Sequence, residues 1–208
     1  MPSTADRNER QLLLLREIAA VMYAEGISFW LRGGWALDFL CGRTNRLHAD
    51  LDLIACVRSR RRIEDLLRPR AYVSVAVAIP QAQISFTKLG EEVSFVLILR
   101  NSAGQVLTPG FETWPWPADA FDGPVRTLYG VTCQILAPEA LLEEKENYQR
   151  HTGRELREKD RESIRLLREL IAVQPPPAKA TASATGEGVR PATQSGHSHR
   201  RQTTRPDG

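Results

Sequence analysis

Gly33, Gly34, Asp50 and Asp52 have the types and spacing for phosphate chemistry. The glycine pair follows an apolar run at 27–31 that reads as a short buried strand. It precedes 35–40, which reads as a short helix closed by Gly42. Glycines at such a junction leave backbone N–H groups open to a closely approaching anion, and the helix N-terminus adds a positive dipole. Asp50 and Asp52 sit in a run, 50–56, that alternates carboxylate and apolar residues. Two residues apart on a strand, they project from one face with their backbones about 7 Å apart. Oxygen donors at that spacing suit a hard divalent cation, and Mg²⁺ typically takes one or two carboxylates together with substrate phosphates. A phosphate cradle beside a metal platform is the equipment of nucleotidyl transfer. A Gly-Gly pair alone is usually a turn, and a lone Asp-x-Asp is usually a solvated strand face. The weight lies in the order strand, glycines, helix, paired carboxylates.

The elements that must position these residues follow from periodicity. Ser3 or Thr4 caps a helix running to about residue 25, with Leu12, Leu15, Ile18, Ala19 and Met22 on one face and Gly26 at its end. Residues 58–67 read as a helix ended by Pro69, and 72–79, 83–89 and 93–100 as strands, the last two joined at Gly90-Glu91. Beyond a Trp- and Pro-rich loop at 113–117, residues 125–135 supply a strand or hairpin. Pro138 opens a helix to about 149, and 156–173 forms the closing helix. The order predicts an α+β fold, a small mixed β-sheet flanked by helices. It divides into a core at 1–136, a C-terminal helical segment at 137–174 packed on the core, and a disordered basic tail at 175–208, which begins Pro-Pro-Pro and is poor in large apolar residues.

The 208 residues are 42% hydrophobic and 25% charged, enough to build a core. The net charge of +3 lies entirely in the tail, whose five basic and two acidic residues leave 1–174 neutral. Charge therefore gives no support to nucleic-acid binding by the body. Three scattered cysteines argue against both a disulfide framework and a zinc site. No run approaches the roughly 18 apolar residues of a membrane span, and the leucines at 12–15 are too few for a signal-peptide core. The expected compartment is cytoplasmic.

The stretch Trp30-Leu-Arg-Gly-Gly-Trp-Ala-Leu-Asp-Phe-Leu-Cys-Gly-Arg-Thr-Asn-Arg-Leu-His-Ala-Asp-Leu-Asp-Leu53 closely resembles the signature of antibiotic nucleotidyltransferases. These form the aminoglycoside-2″-adenylyltransferase and lincosamide nucleotidyltransferase-like branch of the polymerase-β superfamily. Weaker similarity continues through Trp114-Pro-Trp-Pro, the segment from Pro138, Lys145, and Arg157-Glu-Lys-Asp160, covering about residues 10–172. The resemblance implies the nucleotidyltransferase fold, Mg²⁺ on Asp50 and Asp52, and ATP at Gly33-Gly34. It also implies transfer of a nucleoside monophosphate to a hydroxyl of a small acceptor such as an aminoglycoside. Arg43, Arg46 and His48 lie where cations reach triphosphate oxygens, with His48 equally placed to brace Asp50 or the loop. Lys145 and Lys159 are nucleotide contacts by resemblance; the bland reading is a salt-bridge stripe such as Glu155 with Lys159. Arg32 reads as an exposed strand end.

One position departs from the family. Aligned by strand and by the following turn at 101–104, the third carboxylate falls on Ser94, and a hydroxyl is a poor metal ligand and a poor base. Glu92, on the same face, is the candidate to replace it. Two alternatives remain open: a catalytically weakened nucleotide-binding module, and a toxin-like nucleotidyltransferase acting on protein or tRNA.

Overall fold

The computed structural model describes residues 4–173, and the basic tail expected from 175 onward lies outside the described residues. Helix α1 (Thr4–Ala24) leads into strand β1 (Phe29–Leu31), and α2 (Gly33–Cys41) starts directly on the glycine pair. Strand β2 (Asp50–Cys56) is followed by a 3₁₀ turn, helix α3 (Arg60–Leu67), and strands β3 (Val73–Val75), β4 (Gln83–Lys88) and β5 (Glu91–Arg100). The chain continues through β6 (Val106–Leu107), a hairpin of β7 (Val125–Leu128) and β8 (Val131–Gln134), and helices α4 (Pro138–Thr152) and α5 (Glu158–Val173).

The sheet runs β1-β2-β5-β4-β3, with β6 on the far end of β5. It is mixed: β2 and β5 are parallel and the other pairs antiparallel. Parallel pairing needs a long crossover, here supplied by α3 and the β3-β4 hairpin. Alternation then sorts the two central strands. Leu51 and Leu53 of β2 and Val93 and Phe95 of β5 are fully buried with Leu14, Leu15, Ile18 and Met22 of α1. Asp50, Asp52, Glu92 and Ser94 face the opposite side. A one-residue slip of either strand would bury the acids, so the core fixes the register that aims them.

Two elements differ from the sequence expectation. The strand expected over 72–79 is only Val73–Val75, because β4 pairs with those three residues alone. Beyond it the chain turns, and the N–H of Ala82 donates to the carbonyl of Ile79 (3.0 Å). The hairpin turn is Leu89-Gly90, both at positive φ (54° and 75°). This frees Glu91 to begin β5, where its buried carboxylate takes Arg10 Nη2 (2.6 Å) and Gln11 Nε2 (2.8 Å). No described helix is long and apolar enough to cross a membrane.

Candidate active site

The parallel register places Asp50 beside Glu92 and Asp52 beside Ser94 on adjacent strands, about 4.8 Å apart across the ladder. All four line a cleft of about 580 Å³ whose other walls come from the loop carrying Trp114 and Trp116 and from α4. Asp50 lines the cleft and remains exposed to solvent. Burial, then repulsion from Asp52, raises its pKa above the usual aspartate value; Glu92 adds to the rise, and Lys159 and Arg157 oppose it. A carboxyl held up in this way by a neighbouring carboxylate marks a place where a cation would relieve the repulsion. Their all-oxygen donor set fits Mg²⁺. Among the described residues no three His, Cys, Asp or Glu side chains gather as a metal centre.

The glycines earn their place sterically. Gly33 has φ of 69°, and a Cβ there would run into the Asp52 carboxylate, with the Asp52 Cβ at 3.1 Å and Cγ at 3.2 Å. At Gly34 an added Cβ would overlap the His48 ring and come within 2.9 Å of Arg46 Nη2. No side chain caps α2, whose N-cap is Arg32. Its first N–H groups therefore lack intrahelical partners and suit an anion. The N–H of Arg32 donates to the Asp52 carbonyl (3.0 Å), tying the turn to the strand of acids.

Behind the turn the polar residues are interlocked. His48, buried, shares a 2.6 Å hydrogen bond between its Nε2 and Asp38 Oδ2, and its ring lies on Trp35 with centroids 4.5 Å apart. Trp35 Nε1 donates to Gln11 (2.7 Å), which in turn donates to Glu91 and to the His48 carbonyl. Asp38 also receives the N–H of Asn45 (3.1 Å). The 42–49 loop is thus held from within. Arg46 stands beside Gly34, and His48 braces the loop; Arg43 is exposed and does not line the cleft.

Lys145 is largely buried, 3.7 Å from Asp160. Burial lowers its pKa, Glu144 and Asp160 pull the other way, and the charges of Arg46 and Arg32 lower it further. It therefore shares one neighbourhood with two other cations beside the glycine turn. Lys159, half-buried, makes no ion pair with Glu155 or any other described residue, and its charge acts on Asp50. Burial would raise the pKa of Asp160, but the hydrogen bond from Arg157 (2.7 Å) and the charge of Lys145 lower it overall. Asp160→Asn should leave Lys145 short of a partner between α4 and α5. The expected cost is about 2 kcal/mol, or about 4–8 °C in Tm. Because the folded-state pKa is depressed, this stability is present above the unfolded value of about 4 and is lost as pH falls through the lower folded value. Thermal melts of both proteins against pH should therefore converge in acid.

Sequence reasoning missed Arg32. It lines the cleft, paired with Glu144 of α4, and its buried Nε has no hydrogen-bond partner among the described residues. Burial disfavours its charge, but Glu144, Asp52, Tyr148 and Asp50 outweigh that and raise its pKa. Glu144, Tyr148 and His151 also face the cleft; their i, i+4, i+7 spacing on α4 was the available signal. Ser94 is fixed by Gln83 Nε2 (3.1 Å) and Ser85 Oγ (2.9 Å) on the cleft floor.

The model of the aminoglycoside-2″-adenylyltransferase family matches residues 14–167. Lincosamide antibiotic adenylyltransferase LnuA, solved with lincomycin bound, is 20% identical, with a TM-score of 0.60 over 78% of this chain and 97% of that one. ANT(2″)-Ia, solved in complex with adenylyl-2″-tobramycin, is 18% identical, with a TM-score of 0.60 over 78% and 90%. At such identities the two structures speak for the fold. A sequence search of curated proteins gave no match. With the glycine turn, the paired aspartates and the mixed sheet all inside the matched span, this chain belongs to the aminoglycoside-2″-adenylyltransferase family and is a nucleotidyltransferase.

Proposed function

We propose that the chain is a Mg²⁺-dependent adenylyltransferase moving AMP from ATP to a hydroxyl of a small antibiotic-like acceptor such as an aminoglycoside. The observation that carries this reading is the register that sets Asp50 beside Glu92 in one cleft, next to the open end of α2. Gly33 and Gly34 receive the triphosphate, and Arg46, Lys145 and Lys159 offset its charge. His48 holds the glycine turn from behind. Mg²⁺ held by Asp50 and Asp52 would neutralise phosphate charge and align the attacking and leaving oxygens. Glu92 takes the proton of the acceptor hydroxyl as its oxygen bonds to the α-phosphorus. The bond from that phosphorus to the bridging oxygen breaks, and pyrophosphate leaves. The core to residue 136 carries the chemistry, and α4 walls the acceptor.

The test is pyrophosphate release from ATP and Mg²⁺ with lincomycin, tobramycin and an aminoglycoside panel. Glu92→Gln is expected to lower kcat by about 10²–10⁴-fold while calorimetric ATP binding is unchanged. Silence across the panel together with no ATP binding contradicts the reading. Ser94, locked to Gln83 and Ser85 rather than free to ligate, favours a second reading in which ATP binds without transfer. Turnover that appears only in Ser94→Asp would establish it.

A further inference from the structure

Three arginine–carboxylate pairs in this chain share one form, and a fourth departs from it. Arg10 gives both Nε and Nη2 to Glu91, Arg157 gives both to Asp160, and Arg168 gives both to Glu146. Nε and Nη2 share one edge of the guanidinium, and that fork matches the oxygens of a carboxylate or a phosphate. Arg32 gives only Nη2 to Glu144. Its Nε is buried without a hydrogen-bond partner, the one such side-chain atom among the described residues. A buried donor left unmade carries its full desolvation penalty. Half of the Arg32 fork is unfilled.

The place of Arg32 in the fold says what would fill it. It is the N-cap residue of α2, directly before Gly33-Gly34, where no side chain caps the first N–H groups. Its side chain lines the cleft with Asp50 and Asp52. Burial works against its charge, but Glu144, Asp52, Tyr148 and Asp50 together outweigh burial and keep it charged. Asp52 and Asp50 are the carboxylates assigned to Mg²⁺. With both committed to the ion, Arg32 loses much of the negative field that balances it, and an anion at the glycine turn restores that field. A phosphate does so and also brings two oxygens to the fork. Nε is closed to solvent while Nη2 stays on Glu144, so phosphate and Glu144 compete for one guanidinium.

We propose that Arg32 is a phosphate-binding residue held back by Glu144: when a nucleoside triphosphate enters, the guanidinium leaves Glu144 and turns its Nε–Nη2 edge to the phosphate oxygens. The inference rests on the adenylyltransferase reading for the identity of the ligand, and nucleotide binding tests it without turnover. A contact that merely stapled α2 to α4 would make Arg32 and Glu144 equivalent, because removing either breaks it. Competition makes them opposite. Loss of Arg32 removes the phosphate contact. Loss of the Glu144 charge raises the fraction of chains whose guanidinium is ready for phosphate, and the observed affinity tightens by the same factor.

The experiment is calorimetric titration of the full chain with Mg²⁺ and α,β-methylene-ATP, whose α–β bridge resists transfer. Arg32→Gln is expected to weaken binding about ten- to a hundred-fold, the range of charge-assisted hydrogen bonds. Glu144→Gln is expected to tighten it at least about three-fold. The double variant should match Arg32→Gln, because the effect of Glu144 passes through the guanidinium. Arg32→Lys keeps the charge without the fork and should lose about ten-fold; it carries the test if Arg32→Gln does not fold. Thermal melts verify folding of each variant. Unchanged or weaker binding by Glu144→Gln, a gain that persists without Arg32, or parent-like affinity in either Arg32 variant would each overturn the inference while leaving the adenylyltransferase reading in place. A parent protein that does not bind the analogue overturns both together.

Discussion

Asp52→Asn is expected to lower kcat/KM by about 10³-fold or more, equivalent to about 4 kcal/mol of transition-state stabilisation. The residue stands centrally: its carboxylate abuts Gly33, its carbonyl receives the Arg32 N–H, and its register partner is Ser94. Because Ser94 brings no charge, little nearby compensates for the lost carboxylate. The amide keeps the size and leaves the backbone hydrogen bond intact, so the fold should persist. Like-charge repulsion with Asp50 also disappears. After allowing for solvent screening at the open cleft, Tm should stay within roughly 1–2 °C of the parent or rise slightly. Steady-state pyrophosphate release and a thermal melt measured together separate this outcome from simple unfolding. Retained turnover would show that Asp52 is not a metal ligand.

Gly33→Ala is the second large effect, and its origin is purely steric. The residue needs a left-handed backbone, which costs an L-residue roughly 1–2 kcal/mol, and its new Cβ must displace the Asp52 carboxylate. A shift of that ligand by about 1 Å is worth on the order of 10² in rate. Unlike Asp52→Asn, the variant should therefore lose both stability and kcat/KM. Gly42, also at φ 69°, has nothing within 4 Å of an added Cβ. Gly42→Ala should thus pay the backbone cost without the rate loss. If both alanine variants lose turnover equally, the close approach to Asp52 is not the reason for Gly33.

The contrast between these two positions also marks what the sequence could reveal. Glycine turn, short helix and paired aspartates are set by local spacing, so they are visible in a string of residues between 30 and 53. The pairing of β2 with β5 is not local: about forty residues separate Asp50 from Glu92, and only burial of Leu51, Leu53, Val93 and Phe95 fixes which acid faces which. Periodicity placed Glu92 and Ser94 on one face without assigning their neighbours. Arg32 read as an exposed strand end because nothing nearby in sequence pairs with it; its partner arrives on α4, over a hundred residues later. His48 reads equally as a phosphate contact or as a brace for the loop or Asp50, and its burial against Trp35 and Asp38 of α2 is a contact that spacing alone does not reveal. The strand expected at 72–79 was overcounted because valine-rich composition signals extension, while the pairing available from β4 limits it to three residues.

The aromatic wall was the least legible part. Proline-flanked tryptophans read either as platforms for a base or acceptor ring or as ordinary loop anchors, and Trp116, hydrogen-bonded to Thr108, does anchor the loop. Trp114 acquires a different character only through His151, which shares no sequence neighbourhood with it. The ion pair of Arg32 with Glu144 is likewise a contact that only the fold supplies.

The most direct test of the central claim is mass spectrometry of the acceptor after incubation with ATP and Mg²⁺, comparing the parent protein with Asp52→Asn. The account predicts that the parent adds one adenylyl group to a hydroxyl of an acceptor in the panel of lincomycin, tobramycin and further aminoglycosides, with one pyrophosphate released per transfer, and that Asp52→Asn leaves that acceptor unmodified. An unmodified acceptor with the parent protein carrying bound ATP, or equal modification by the two proteins, would contradict it.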